Sequence, residues 1–199
     1  MKIAIYGGAF NPVHKGHIEI VRQLNENYSF DKILVIPSKF SPHKSNDILV
    51  SDEHRLNMCR LAFSGFDNCE ISDIEIRRNK ISFTVDTLTE LKMIYPFDDF
   101  YLVCGSDMFL SLHSWKNYEE IFSRAIICAV PRENDDIDEL IKYSKSMECY
   151  NIRTIVSDKF MMNVSSTEIR NNIANSIPVT GMVGKEVEQY IYKNKLYLE

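Results

Sequence analysis

Ile3-Ala4-Ile5-Tyr6-Gly7-Gly8-Ala9-Phe10-Asn11-Pro12-Val13-His14-Lys15-Gly16-His17 decides the fold class. A short apolar run, suited to one buried strand, breaks at a glycine pair. The chain turns through Pro12, which stiffens the approach, and resumes with apolar Ile18, Ile20, Val21 and Leu24 at helical spacing. Strand, glycine turn and amphipathic helix in that order open an α/β sheet. Gly7 and Gly8 permit a tight turn and close approach of the backbone to a ligand. His14 and His17, three apart at a helix start, share a face, and Gly16 leaves room beside them. The free N–H groups and the positive end of the helix dipole point to the same region. The loop therefore reads as an anion site with two added donors. The bland alternative is a pair of surface histidines in a turn. Two glycines, a proline and two histidines meeting at one strand–helix junction argue against it.

Outward from this loop the alternation repeats. Apolar runs at 33–37, 100–104, 125–130 and 152–156 predict further buried parallel strands, and 71–76 alternates like another. Helices are predicted over 17–27, 52–63, 84–95, 118–123, 137–147, 167–174 and 185–193. Ser51 is a candidate N-cap for the second of these, and Pro96 stops the third. The pattern predicts a doubly wound α/β fold with a mostly parallel sheet, as a single domain over 1–199. In such sheets ligands sit beyond the carboxyl ends of the strands. The loops after Tyr6, Pro37, Cys104 and Val156 are the places to look.

Composition narrows the function classes. The chain has 199 residues, 45% hydrophobic and 26% charged, with a formal net charge of -5. Those values are ordinary for a globular domain, and the charge disfavours a broad nucleic-acid surface. Five scattered cysteines form no C-x-x-C pair, so they predict reduced thiols and a cytoplasmic protein, not zinc ligands. The first apolar run is too short for a signal peptide, and no run approaches a membrane span. The first loop is neither G-x-G-x-x-G nor a P-loop, since Gly184-Lys185 is followed by Glu186. His14 and His17 lack a third partner nearby, so no protein metal site is predicted.

A second anchor lies about 150 residues on. Ser165-x-x-Glu168 is a capping box that starts a helix, and Arg170 shares a face with Thr167. Hydroxyls, free N–H groups and a guanidinium converge there, a set suited to terminal phosphates. Gly7-Gly8-x-Phe10-x-Pro12-x-His14-x-Gly16-His17 and Ser165-x-Thr167-x-x-Arg170 together resemble the two signatures of the H-x-G-H nucleotidyltransferase superfamily. That resemblance implies a Rossmann-like nucleotidyltransferase fold. It also implies a catalytic role for His14, His17 and Arg170 in adenylyl transfer from ATP.

Further stretches resemble one branch, the nicotinate mononucleotide adenylyltransferases. These are Ile36-Pro37-Ser38-Lys39-Phe40-Ser41-Pro42-His43-Lys44, His54-Arg55-Leu56-Asn57-Met58, Ile81-Ser82-Phe83-Thr84-Val85-Asp86-Thr87, Cys104-Gly105-Ser106-Asp107-Met108 and Trp115. The branch implies ATP binding by Gly7, Gly8, Ala9, Phe10, His14, His17, Gly105, Asp107, Ser165, Ser166, Thr167 and Arg170. It implies mononucleotide binding by Lys44, Thr84, Trp115 and Lys116, with the ring stacked on Trp115. Its carboxylate would face backbone N–H groups around Thr84 and Trp115–Lys116. Each match has a plain rival: Trp115 as a core residue, Asp107 as a cap, Lys44 and Arg55 as solvated charges. Ala9, Asn11, Phe83 and Lys116 stand where the branch usually has Thr, Asp, Tyr and, in some members, Tyr. Arg132 lies in a Val130-Pro131-Arg132-Glu133-Asn134 run that replaces an Arg-Pro-Gly turn.

The implied reaction joins ATP and nicotinate mononucleotide, releasing pyrophosphate. Mg²⁺ enters with ATP, held mainly by phosphates and water. The partners are these small molecules, with no nucleic acid and no membrane, and a homo-oligomer is compatible with the reading. Three alternatives stay open. The first is an adenylyltransferase acting on nicotinamide mononucleotide or phosphopantetheine, the latter usually with Thr where this chain has His14. The second is a cytidylyltransferase, and the third a nucleotide-binding regulator without catalysis.

Overall fold

In a computed structural model, which describes residues 1–40, 50–132, 136–159 and 164–198, the apolar runs become a six-stranded sheet. Lys44 lies outside the described residues. In chain order the elements begin with β1 (Lys2–Gly8), α1 (Lys15–Tyr28), β2 (Lys32–Pro37), α2 (Asp52–Phe63), β3 (Cys69–Ile71), α3 (Ile74–Arg78) and α4 (Thr84–Ile94). They continue with β4 (Asp99–Gly105), α5 (Ser106–Leu110), a 3-10 turn (Leu112–Ser114), α6 (Tyr118–Arg124) and β5 (Ala125–Val130). The chain closes with α7 (Asp136–Glu148), β6 (Thr154–Val156), α8 (Ser166–Ala174) and α9 (Lys185–Lys193).

Every strand pairing is parallel, in the order β3-β2-β1-β4-β5-β6. Such a sheet reverses direction between β1 and β4, and a crevice opens beyond that switch point. Alternate residues of each strand feed opposite faces. Ala4, Tyr6, Ile33 and Val35 pack under α1, α2, α8 and α9. Ile3, Ile5, Leu34 and Ile36 pack against the other layer, which includes α4 and α6.

Two expectations change. The 71–76 stretch is not one strand: β3 ends at Ile71, and Ile74 begins α3. Ile71 and Ile74 are three apart, a spacing that serves a helix as well as an irregular strand. The run at 152–156 starts two residues late. Asn151 adopts a left-handed φ of 58°, and Ile152 donates its N–H to Met147 O at 3.2 Å. Ile152 therefore closes α7 instead of joining the sheet. No helix among the described residues is long and apolar enough to cross a membrane.

Candidate active site

β1 delivers Gly7 and Gly8 to the switch point, and the loop after them is held from behind. Gly8 O accepts from the Ser38 N–H at 2.9 Å, at the end of β2. Ala9 O accepts from Arg55 Nη1 at 2.8 Å, on α2. Asn11 O accepts from Arg170 Nη1 at 2.9 Å, and Pro12 O from Ser166 Oγ at 2.9 Å, both on α8. Four carbonyls of one loop are thus bound by three different elements. In a trans peptide C=O and N–H point opposite ways. Fixing Gly8 O and Ala9 O therefore turns the N–H groups of Ala9 and Phe10 away from those anchors, as an anion cradle requires.

The α1 start adds the imidazoles. His14 is the N-cap, and its N–H donates to His17 Nδ1 at 3.1 Å. The two rings stack with centroids 3.6 Å apart. Because His17 Nδ1 accepts, the neutral ring carries its proton on Nε2 and presents a donor on its outer edge. Phe10 is buried beside these rings. It is 1% exposed, with its ring packed edge-on against Tyr6 and His17. Its φ of 47° drives the ring inward, so the side chain props His17 and only its backbone is left for a nucleotide. A Cβ at Gly8 would lie 3.1 Å from the same ring, so any larger residue there would have to push the ring aside.

The two sequence motifs meet. Arg170 and Ser166 reach residues 159 and 154 positions away. Ser165 caps α8, but it accepts from the Thr167 N–H at 3.2 Å, not from Glu168. Arg170 Nη2 also donates to Thr167 Oγ1 at 3.2 Å.

Arg55, read from sequence as a solvated charge or a site residue in equal measure, has no solvent exposure. Its Nη2 donates to Asp52 Oδ1 at 2.6 Å, and Asp52 also binds Lys39 Nζ. Burial opposes ionisation of Asp52, yet the bonds from Lys39 and Arg55 hold its carboxyl below the usual range. The signal was present in the sequence: Arg55 shares the inner face of α2 with Met58, Cys59 and Phe63. Asn11, marked in the sequence only as standing where the branch usually has Asp, is 2% exposed. Its Oδ1 accepts from the Val50 N–H at 3.3 Å and from the Tyr197 hydroxyl at 2.9 Å.

A cavity of about 440 Å³ opens beyond β1 and β4, lined by Gly7, Ala9, Gly105, Thr84, Trp115 and Lys116 among others. That volume suits a small organic ligand. Lys116 Nζ lies 4.3 Å from the Phe83 ring centroid and 3.7 Å from Asp86 Oδ2, so its charge is already engaged. The Trp115 N–H donates to Leu112 O at 3.0 Å, which removes it from the donors expected to face a ring carboxylate. Thr84 opens α4, where first-turn N–H groups have no intrahelical acceptor. Glu75, missed from sequence, lines the inner wall at 7% exposure and accepts from Thr87 Oγ1 at 2.6 Å. Burial pushes its carboxyl above the usual range. At the rim, Asp107 pairs with Arg132 at 2.6 Å, both largely exposed.

Among the described residues no three metal-ligating side chains cluster. No Asp or Glu occurs between Gly7 and His17, so the first loop suits phosphate oxygens and not a cation.

The cytidylyltransferase-like family matches residues 5–172. The chain is 35% identical to the probable nicotinate-nucleotide adenylyltransferase of Carboxydothermus hydrogenoformans, covering 98% of each chain. It is 38% identical to the protein of that same name from Fusobacterium nucleatum, covering 97% of this chain and 98% of that one. Among solved structures, the Plasmodium falciparum nicotinic acid mononucleotide adenylyltransferase complexed with NaAD superposes with a TM-score of 0.81. At 20% identity, with 98% of this chain and 97% of that chain covered, it shows the shared fold.

Proposed function

We infer the chemistry from the premise that this chain belongs to the cytidylyltransferase-like family and, within it, to the nicotinate-nucleotide adenylyltransferases. It transfers the adenylyl group of ATP to nicotinate mononucleotide, giving nicotinate adenine dinucleotide and pyrophosphate. The observation that carries the residue assignments is the first loop, with four carbonyls tied back by β2, α2 and α8.

The mononucleotide phosphate attacks the α-phosphorus of ATP in line. A phosphate monoester has a second pKa of about 6, so it is largely ionised at neutral pH and needs no strong base. Catalysis then rests on positioning and on stabilising charge as it moves to pyrophosphate. The backbone of Gly7, Gly8, Ala9 and Phe10 cradles phosphate oxygens. His17 donates from Nε2, and His14 stacks beside it. The α8 start, with Ser165, Ser166, Thr167 and Arg170, binds the departing end. Gly105 and Asp107 receive the adenosine at the switch point, while Thr84, Trp115 and Lys116 line the ring pocket. Mg²⁺ arrives as part of the ATP substrate, through phosphate oxygens and water.

Pyrophosphate release measured with ATP and a panel of mononucleotides tests this function. Turnover highest with nicotinate mononucleotide is the expected result. Turnover with CTP in place of ATP, or none with any acceptor, would overturn it.

A further inference from the structure

We infer that Tyr197, beyond the last helix, is a positioning residue for the phosphate loop and acts through Asn11. This rests on the assignment of that loop to ATP. Two independent observations support it. The first is the bond itself: the Tyr197 hydroxyl donates to Asn11 Oδ1 at 2.9 Å, across 186 residues of sequence. Asn11 is 2% exposed and carries, on its own backbone oxygen, the Arg170 guanidinium. The bond therefore lies on a residue that itself joins the two motifs.

The second is the backbone around Tyr197. Its φ is 64°, and Lys195 before it has a φ of 51°. Left-handed conformations are unfavourable for residues with a Cβ and persist where surrounding contacts over-determine them. Leu196 supplies one such contact, 7% exposed against the α1–α2 layer. The phenol supplies the other. Burial pushes the Tyr197 hydroxyl well above its usual range, and the nearby charges of Arg170 and Arg55 partly oppose that shift. The hydroxyl thus serves Asn11 Oδ1 as a neutral donor. It steadies Asn11 without competing for the cations that an ATP phosphate needs.

Tyr190 provides the control. It lies on α9, ahead of Tyr197 in the chain, and its hydroxyl bonds His54 Nδ1 at 2.9 Å and Asn57 Nδ2 at 3.1 Å on α2, with no bond to the loop among the described residues. A purely structural role for this end of the chain predicts that Tyr190→Phe and Tyr197→Phe behave alike.

The experiment compares the full-length parent with both variants in three measurements. These are thermal stability, ATP affinity by calorimetry, and KM for ATP against KM for nicotinate mononucleotide in pyrophosphate release. Tyr197→Phe is expected to weaken ATP binding and raise KM for ATP by roughly 3- to 10-fold, the worth of one neutral hydrogen bond. KM for the mononucleotide should stay within about twofold of the parent. Tyr190→Phe should lose comparable stability with ATP affinity unchanged. Combining Tyr197→Phe with Asn11→Ala should weaken ATP binding no further than Asn11→Ala alone, since both cut one path. Equal ATP affinity in the parent and Tyr197→Phe, or equal weakening in Tyr190→Phe, overturns the proposal. Calorimetry separates it from the reaction. Weakened ATP binding in Tyr197→Phe with no pyrophosphate released by the parent would uphold the strap and remove the adenylyl transfer.

Discussion

Behind the phosphate loop lies a guanidinium with no solvent exposure, Arg55; behind the ring pocket lies a carboxyl, Glu75, 7% exposed. Each binds a nearby group that shapes one half of the cavity: Ala9 O in the first case, the Thr87 hydroxyl of α4 in the second. Arg55 is also tied to Asp52, which in turn binds Lys39. Glu75 is held toward its neutral form by burial. One half is thus backed by a salt-bridged guanidinium and the other by a buried carboxyl; under the proposed function the first half faces the phosphates and the second the flat ring. A carboxylate ligand beside an ionised Glu75 would meet repulsion, and burial of Glu75 works against that ionised form.

The largest expected effect tests the phosphate half. His17→Ala should lower kcat by roughly 10²–10³, the usual cost of one preorganised donor to developing charge. Calorimetric ATP binding should change less. Near-parental turnover in a folded variant would leave the charge stabilisation without its donor.

Arg170→Lys comes next. A lysine cannot hold Asn11 O and Thr167 Oγ1 together as the fork does. Activity should fall roughly 10- to 100-fold, since a charge-assisted bond is worth about 1.5–3 kcal/mol. Parental kinetics would make Arg170 a surface charge on a capped helix.

The ring half is tested by substrate choice. Nicotinate mononucleotide should be preferred over its amide by at least about tenfold in kcat/KM, because an amide leaves a backbone donor unpaired. With Trp115 N–H already bound to Leu112 O, the first-turn N–H of Thr84 and the N–H of Lys116 are the donors left for this task. The ratio should shrink in Trp115→Ala, where the ring loses its fixed orientation. A ratio near one in the parent would detach this wall from acid–amide discrimination.

The smallest effect concerns Glu75. Its folded value lies above its unfolded one, so its contribution to stability is complete below the unfolded value of about 4.3 and is lost as pH rises through the raised value. Glu75→Gln keeps an acceptor for Thr87 and cannot ionise. Its Tm should exceed that of the parent at pH 8, with the gap closing toward about pH 4. A parent more stable than the variant at pH 8 would mean that Arg78, Thr87 and Ser82 outweigh burial.

Adjacent residues determined most of the fold. Short β-rich runs, the glycine turn and the helix caps are local signals, and Asp52–Phe63 with its Ser51 cap was readable to the residue. The same locality placed His14 and His17 at a helix start and Thr167 beside Arg170. Where local signals were ambiguous, at 71–76 and around Ile152, long-range pairing chose between helix, strand and turn.

Tertiary structure alone decided what backs the site. A buried arginine, a buried glutamate and a tyrosine are each compatible, by type, with a solvated surface. Only packing that excludes water turned Arg55 toward Ala9 O, Glu75 toward Thr87 and Tyr197 toward Asn11. A sequence can show which groups are able to touch a phosphate, because that ability belongs to the residue and its near neighbours. Which groups hold them in place depends on contacts spanning up to 186 positions, and no local pattern encodes those.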